Sequence, residues 1–113
     1  MRNLKQKLAQ IIEDLKPYDP EKVILFGSYA RGEAGKESDV DLLIVKETEK
    51  PRYDRYDDIS RLLYKRKYYG TDKHIKGLDF RVYTPQKLKE RFDLGDFFIE
   101  EVLDQGKVIY EKK

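Results

Sequence analysis

Residues 25–45 read LFGSYARGEAGKESDVDLLIV. An apolar run ends in Gly27-Ser28, a short polar segment turns the chain back, and a second apolar run carries Asp39 and Asp41. Side chains two apart on a strand share a face, so Asp39 and Asp41 are expected side by side, with Val40 and Leu42 turned into the core. Two unit charges ~4 Å apart repel by roughly 4 kcal/mol at an effective dielectric of 20. A divalent cation relieves that repulsion, and an oxygen-only donor set suits Mg²⁺.

The rest of the chain arranges itself around this stretch. Leu4, Leu8, Ile11, Ile12 and Leu15 recur at helical spacing, predicting an amphipathic helix from Asn3 to Lys16 that Pro17 and Pro20 end. Val23 to Phe26 is a short buried strand. Ser28 caps a short helix through about Arg31, and Gly32 and Gly35 break it. Asp39 to Val45 is the second strand, and a second helix covers Tyr53 to Tyr64 with Tyr56, Ile59, Leu62 and Leu63 on one face. Leu78 to Tyr83 alternates as a strand, with Leu78, Phe80 and Val82 on one side and Asp79 and Arg81 on the other. Thr84-Pro85 opens a helix. Phe97, Phe98, Glu101 and Val102 belong to another that Gly106 stops. Lys107 to Tyr110 is a last short strand.

Composition narrows the function. At 113 residues the chain is read as one domain, residues 1–113, with a single modest core. Charged residues make up 41% of it, yet the net charge is only +2, so no field for a polyanionic partner follows. The absence of cysteine removes disulfides and thiolate metal sites. No stretch approaches the ~20 apolar residues that span a bilayer, and the N-terminus has no signal-peptide core. A cytoplasmic protein with no membrane partner is expected. The basic run from Lys65 to Lys76, with Tyr68 and Tyr69, has the composition of a nucleic-acid patch. It is read instead as a solvated loop, with the only histidine, His74, inside it, and no nucleic-acid partner is expected.

Gly27-Ser28, ten intervening residues and Asp39-Val40-Asp41 resemble the GSX10DXD signature of the nucleotidyltransferase superfamily that includes DNA polymerase beta. Within it the chain looks most like the minimal nucleotidyltransferases, MntA-type antitoxins paired with HEPN-domain toxins. The likeness extends to the last strand. It implies an α+β fold, a mixed sheet of about four strands with helices packed on one face, as in the polymerase beta palm.

The resemblance also implies roles. Asp39 and Asp41 would hold the metal on the triphosphate, and Asp79 would join them on the metal nearest the acceptor hydroxyl, two Mg²⁺ ions in all. Gly27 lets backbone approach the phosphates, and Ser28 adds a hydroxyl and an N–H at a helix start. Arg31 is a candidate to steady the phosphates, with pairing to Glu33 or Glu37 as the alternative. The activity implied is transfer of AMP from ATP to a tyrosine of a HEPN toxin, the protein acting as antitoxin. Nothing in the chain is left over to hold an acceptor, which suggests that the acceptor is a separate chain. Two other readings stand beside this one: a catalytically silent antitoxin that only binds its partner, and a nucleotidyltransferase acting on a small molecule or nucleic acid.

Overall fold

The apolar run in the middle of the chain is buried on both sides, and that fact sets the layers. The structure is a computed structural model that describes residues 4–34, 40–64 and 78–113. In chain order it comprises α1 (Leu4–Leu15), β1 (Lys22–Phe26), β2 (Val40–Val45), α2 (Arg52–Tyr64), β3 (Leu78–Tyr83), α3 (Pro85–Asp93), α4 (Phe97–Gln105) and β4 (Lys107–Glu111). The four strands form one sheet in the order β3-β2-β1-β4. β1 runs antiparallel to both β2 and β4, and β2 runs parallel to β3, with α2 in the crossover. The expected mixed sheet of an α+β fold is therefore present.

Alternation along β2 divides the core in two. Val40, Leu42 and Ile44 pack with Ile11 and Leu15 of α1, Ile59 and Leu63 of α2, and Phe80 of β3. Leu43 and Val45 point the other way, against Ile99 and Val102 of α4 and the half-buried Leu88 of α3. Such a strand reads as a continuous apolar run because neither face meets water. The layering differs here from the expected helices on one face: α1 and α2 cover one side and α3 and α4 the other. The physical reason is β2 itself, whose Leu42 and Leu43 are both fully buried although they point to opposite sides.

Element boundaries follow local chemistry. The Thr84 hydroxyl accepts from the Lys87 N–H at 3.1 Å and caps α3, with Pro85 in its first turn. Asp96 caps α4, accepting from the N–H groups of Phe98 and Ile99 at 3.0 and 3.3 Å. The expected helix after Ser28 is a single turn instead. Ala30 and Arg31 donate to the Gly27 carbonyl at 3.1 and 3.2 Å, and Glu33 donates to Ser28 at 2.9 Å. Gly32, at φ 72°, takes the left-handed conformation that ends it. Asp39, Gly35, Glu37 and the whole stretch from Lys65 to Lys76, His74 included, lie outside the described residues. Among the described residues no helix is long and apolar enough to cross a membrane.

Candidate active site

Three strand ends meet at one edge of the sheet. β1 finishes at Phe26, whose register partner in β2 is Asp41. Asp41 is in turn the register partner of Asp79 in β3. Paired residues on neighbouring strands lie about 4.8 Å apart and project to the same face. Asp41 and Asp79 therefore stand next to each other, on the side that α3 and α4 cover. Asp41 is half-buried and Asp79 exposed, so the pair opens from the sheet towards solvent. Asp39, expected beside Asp41, is outside the described residues.

Gly27 follows directly on Phe26 and turns the chain at φ 76°. A β-carbon there would overlap Oδ2 of Asp41. The glycine thus does two things at one position: it permits the left-handed turn and leaves room for the carboxylate. Ser28 is half-buried in the turn that follows. With no helix behind it, it presents its hydroxyl from a turn, without the support of a helix start.

Arg31 lines the groove beside Gly27 and is paired there with two carboxylates. Its Nε donates to Glu33 Oε1 at 2.9 Å, and its Nη1 stands 3.6 Å from Glu101 Oε1. The Glu33 hydrogen bond, followed by the charges of Glu33, Glu101 and Asp41, makes its guanidinium harder still to deprotonate. The expected pairing with Glu33 is present.

The sequence reading did not include Phe98, Glu101 or Arg81 among the site residues. The Phe98 ring meets Phe26 edge to face, with centroids 5.3 Å apart and planes at 81°. The Arg81 guanidinium lies 4.4 Å from the Phe98 centroid. Residue spacing alone brings Arg81 and Asp79 to one face, but only α4 packing across the sheet adds Phe98 and Glu101. A groove of about 210 Å³ runs beside Gly27, lined by Phe26, Arg31, Phe98, Glu101 and Gln105. A larger cleft of about 570 Å³ opens beside Tyr83 and Thr84 at the far end of β3 and contains neither carboxylate. Chemistry, not cavity size, marks the site.

Two carboxylates held in register, one of them seated against a bare glycine backbone, are a fitting start for a hard divalent cation. Among the described residues no group of three potential metal ligands is assembled. The third carboxylate of the motif falls outside them.

Comparison with known proteins gives the family and the fold. Residues 5–109 match the family model described as a nucleotidyltransferase domain. A protein from Sulfolobus solfataricus, provisionally named a nucleotidyltransferase and solved by crystallography, is 25% identical with a TM-score of 0.59, over 94% of this chain and 79% of that one. A chain from a crystal structure of a toxin-antitoxin with AMP-PNP is 19% identical with a TM-score of 0.54, over 93% of this chain and 73% of that one. The second likeness concerns the fold alone. No curated protein matches the chain.

Proposed function

The chain belongs to the nucleotidyltransferase domain family, and from that premise we propose a magnesium-dependent transfer of AMP from ATP to a hydroxyl acceptor, a tyrosine of a partner HEPN toxin that the protein thereby neutralises as its antitoxin. The observation that carries the reading is the register pairing of Asp41 with Asp79 beside Gly27. Fold likeness to a toxin-antitoxin with AMP-PNP supports a toxin as partner.

In the proposed reaction the acceptor oxygen bonds to the α-phosphorus of ATP while the bond from that phosphorus to the bridging oxygen breaks. AMP stays on the acceptor, and pyrophosphate leaves with the electron pair. Asp79, exposed at the strand end, accepts the hydroxyl's hydrogen bond and then its proton. Asp41 is positioned by the Gly27 turn, which also lets the phosphates approach backbone. Ser28 offers its hydroxyl to the same phosphates. Bound magnesium, with two ions expected, would be held by Asp39, Asp41 and Asp79 and would screen the phosphate charge.

The test combines the protein, Mg²⁺, α-labelled ATP and the protein encoded beside it. The neighbour should become labelled on tyrosine. Asp39→Ala, Asp41→Ala and Asp79→Ala should each abolish the label while circular dichroism and melting stay near wild type. Labelling that persists with all three aspartates replaced would refute the mechanism. Neutralisation without labelling, and without nucleotide binding, would assign the chain to binding alone.

A further inference from the structure

We propose that the cleft at the far end of β3 is a second anion site, one that takes a linear polyphosphate, free or carried by a nucleoside. The inference is independent of the nucleotidyl-transfer reading, because none of the residues that form this cleft belongs to the carboxylate site.

Position separates the two sites. Asp79 lies at the start of β3 and Tyr83 at its end, so about 13 Å of strand parts the carboxylates from the cleft. The cleft has a volume of about 570 Å³, within the range that holds a small-molecule ligand. α2 supplies Arg52 and Arg55 to it, and α3 supplies Lys87 and Arg91. The first two are three residues apart and the second two are four apart, so each pair shares one face of its helix. The two helices pack against separate halves of the core, on opposite sides of the sheet. They meet the cleft from either side of β3, which is an edge strand.

Charge gives the second argument. Among the described residues, two carboxylates line the cleft with these four cations, and both answer the cations of α3. Glu90 stands 3.8 Å from Lys87, and Asp96 accepts from Arg91 at 2.9 Å. The α2 side is left uncompensated. Arg55 Nε donates to the Lys50 carbonyl at 2.8 Å, which fixes the guanidinium without neutralising it. Asp58 of the same helix is taken up by Lys50 at 2.8 Å, and no ion pair of Arg52 or Arg55 is found among the described residues. A local excess of positive charge in a cleft draws an anion. Guanidinium forks match phosphate oxygens two at a time. The charges are spread along two helices, and a chain of phosphates meets more of them than a single phosphate does.

The experiment is a calorimetric titration with tripolyphosphate, ATP and AMP in EDTA, where the carboxylate pair has no cation and repels phosphate. Wild type should bind tripolyphosphate and ATP, and should bind AMP, with its single phosphate, at least tenfold more weakly. Arg52→Gln and Arg55→Gln combined should weaken both polyphosphates by roughly 10- to 100-fold, the worth of charge-assisted hydrogen bonds. Gln86→Glu, which adds a negative charge to the cleft wall, should weaken them too. Lys113→Gln, which removes a charge at the exposed C-terminus, should not. Melting temperatures check the fold of each variant. Tighter binding of ATP than of tripolyphosphate would assign the cleft to a nucleotide, and the reverse to the free chain. The proposal is overturned if wild type binds no tripolyphosphate, if AMP binds as tightly as ATP, or if the double variant keeps its affinity. An equal loss in Arg31→Gln would place the anion in the groove beside Gly27 and overturn it as well.

Discussion

The carboxylate of Asp41 occupies the space that a side chain on Gly27 would need. Gly27 directly follows the end of β1, whose last residue, Phe26, is the register partner of Asp41 in the antiparallel β2. Gly27 also turns at φ 76°, a conformation that costs an L-residue about 1–2 kcal/mol. Gly27→Ala should therefore act twice. The fold should lose about that amount, and Asp41 should be pushed from its place. Where a displacement of ~1 Å can cost 100-fold in rate, nucleotidyl transfer should fall much further than stability. Melting curves and initial rates on one preparation check this. A variant that loses stability but keeps its rate would show that Asp41 has room to move.

Asp41 and Asp79 form a like-charge pair in register on parallel strands. Like charges opposite each other on a sheet destabilise, by roughly 0.2–1 kcal/mol on the scale of cross-strand pairs. Asp79→Asn should thus melt slightly higher than wild type in the presence of a chelator. Adding Mg²⁺ should raise the wild-type midpoint, since a ligand that binds only the folded state stabilises it. It should raise the variant's midpoint less, and the order of the two should converge or invert. Thermal melts across a Mg²⁺ series give the answer. Equal Mg²⁺ responses would mean that Asp79 does not take part in holding the ion.

Much of this was legible before any coordinates. The alternation of Leu78, Phe80 and Val82 against Asp79 and Arg81 placed Asp79 correctly because a strand has only two faces. Thr84-Pro85 marked the start of α3 through conformational preferences that act within a few residues; Gly106 does end α4, but at φ −72° and through close approach of its neighbours instead of the left-handed turn glycine favours. What escaped were contacts between distant segments. Phe98 and Glu101 reach the site only because α4 packs across β1, and no local period encodes that. The stop at Gly32 was legible, and its left-handed conformation leaves the segment after Ser28 as one turn instead of a short helix. The helices were placed on one face although β2, with Leu42 and Leu43 both at 0% exposure, has no solvent side.

Gly106 sits where α4 turns into β4, and its backbone is pressed against both. An added β-carbon would overlap the Val102 carbonyl, and it would come within 2.8 Å of Ile24 Cγ2 and 3.1 Å of the Leu25 carbonyl. Two of these three neighbours are backbone, so they cannot rotate away. Gly106→Ala should destabilise by about 1–3 kcal/mol, the range for overpacked positions, and the midpoint should drop by several degrees. Its φ of −72° suits alanine, so the loss would come from crowding and not from conformation. A melt at or above the wild-type midpoint would show that α4 can lift from β1 without loss.

Asp96 joins α3 to α4 and has a pH signature. Its Oδ2 accepts from Arg91 Nε at 2.9 Å, while its Oδ1 accepts from the Phe98 and Ile99 N–H groups at the head of α4. The Arg91 hydrogen bond chiefly, with help from those N–H groups and the Arg91 charge, holds the carboxyl below its usual range. A carboxyl depressed in the folded state binds its proton more weakly there than in the unfolded chain. Its stabilisation is therefore complete above the unfolded value of about 3.9 and is lost as pH falls through the lower folded value. Asp96→Ala should be less stable than wild type at pH 7, and the gap should narrow as the pH drops below about 4. Asp96→Asn, a competent cap without the charge, should fall between them and lack that titration. Denaturant midpoints measured from pH 7 to pH 2.5 distinguish these outcomes. A wild-type-to-alanine gap that stayed constant through that range would show that the capping geometry acts without the carboxylate's charge.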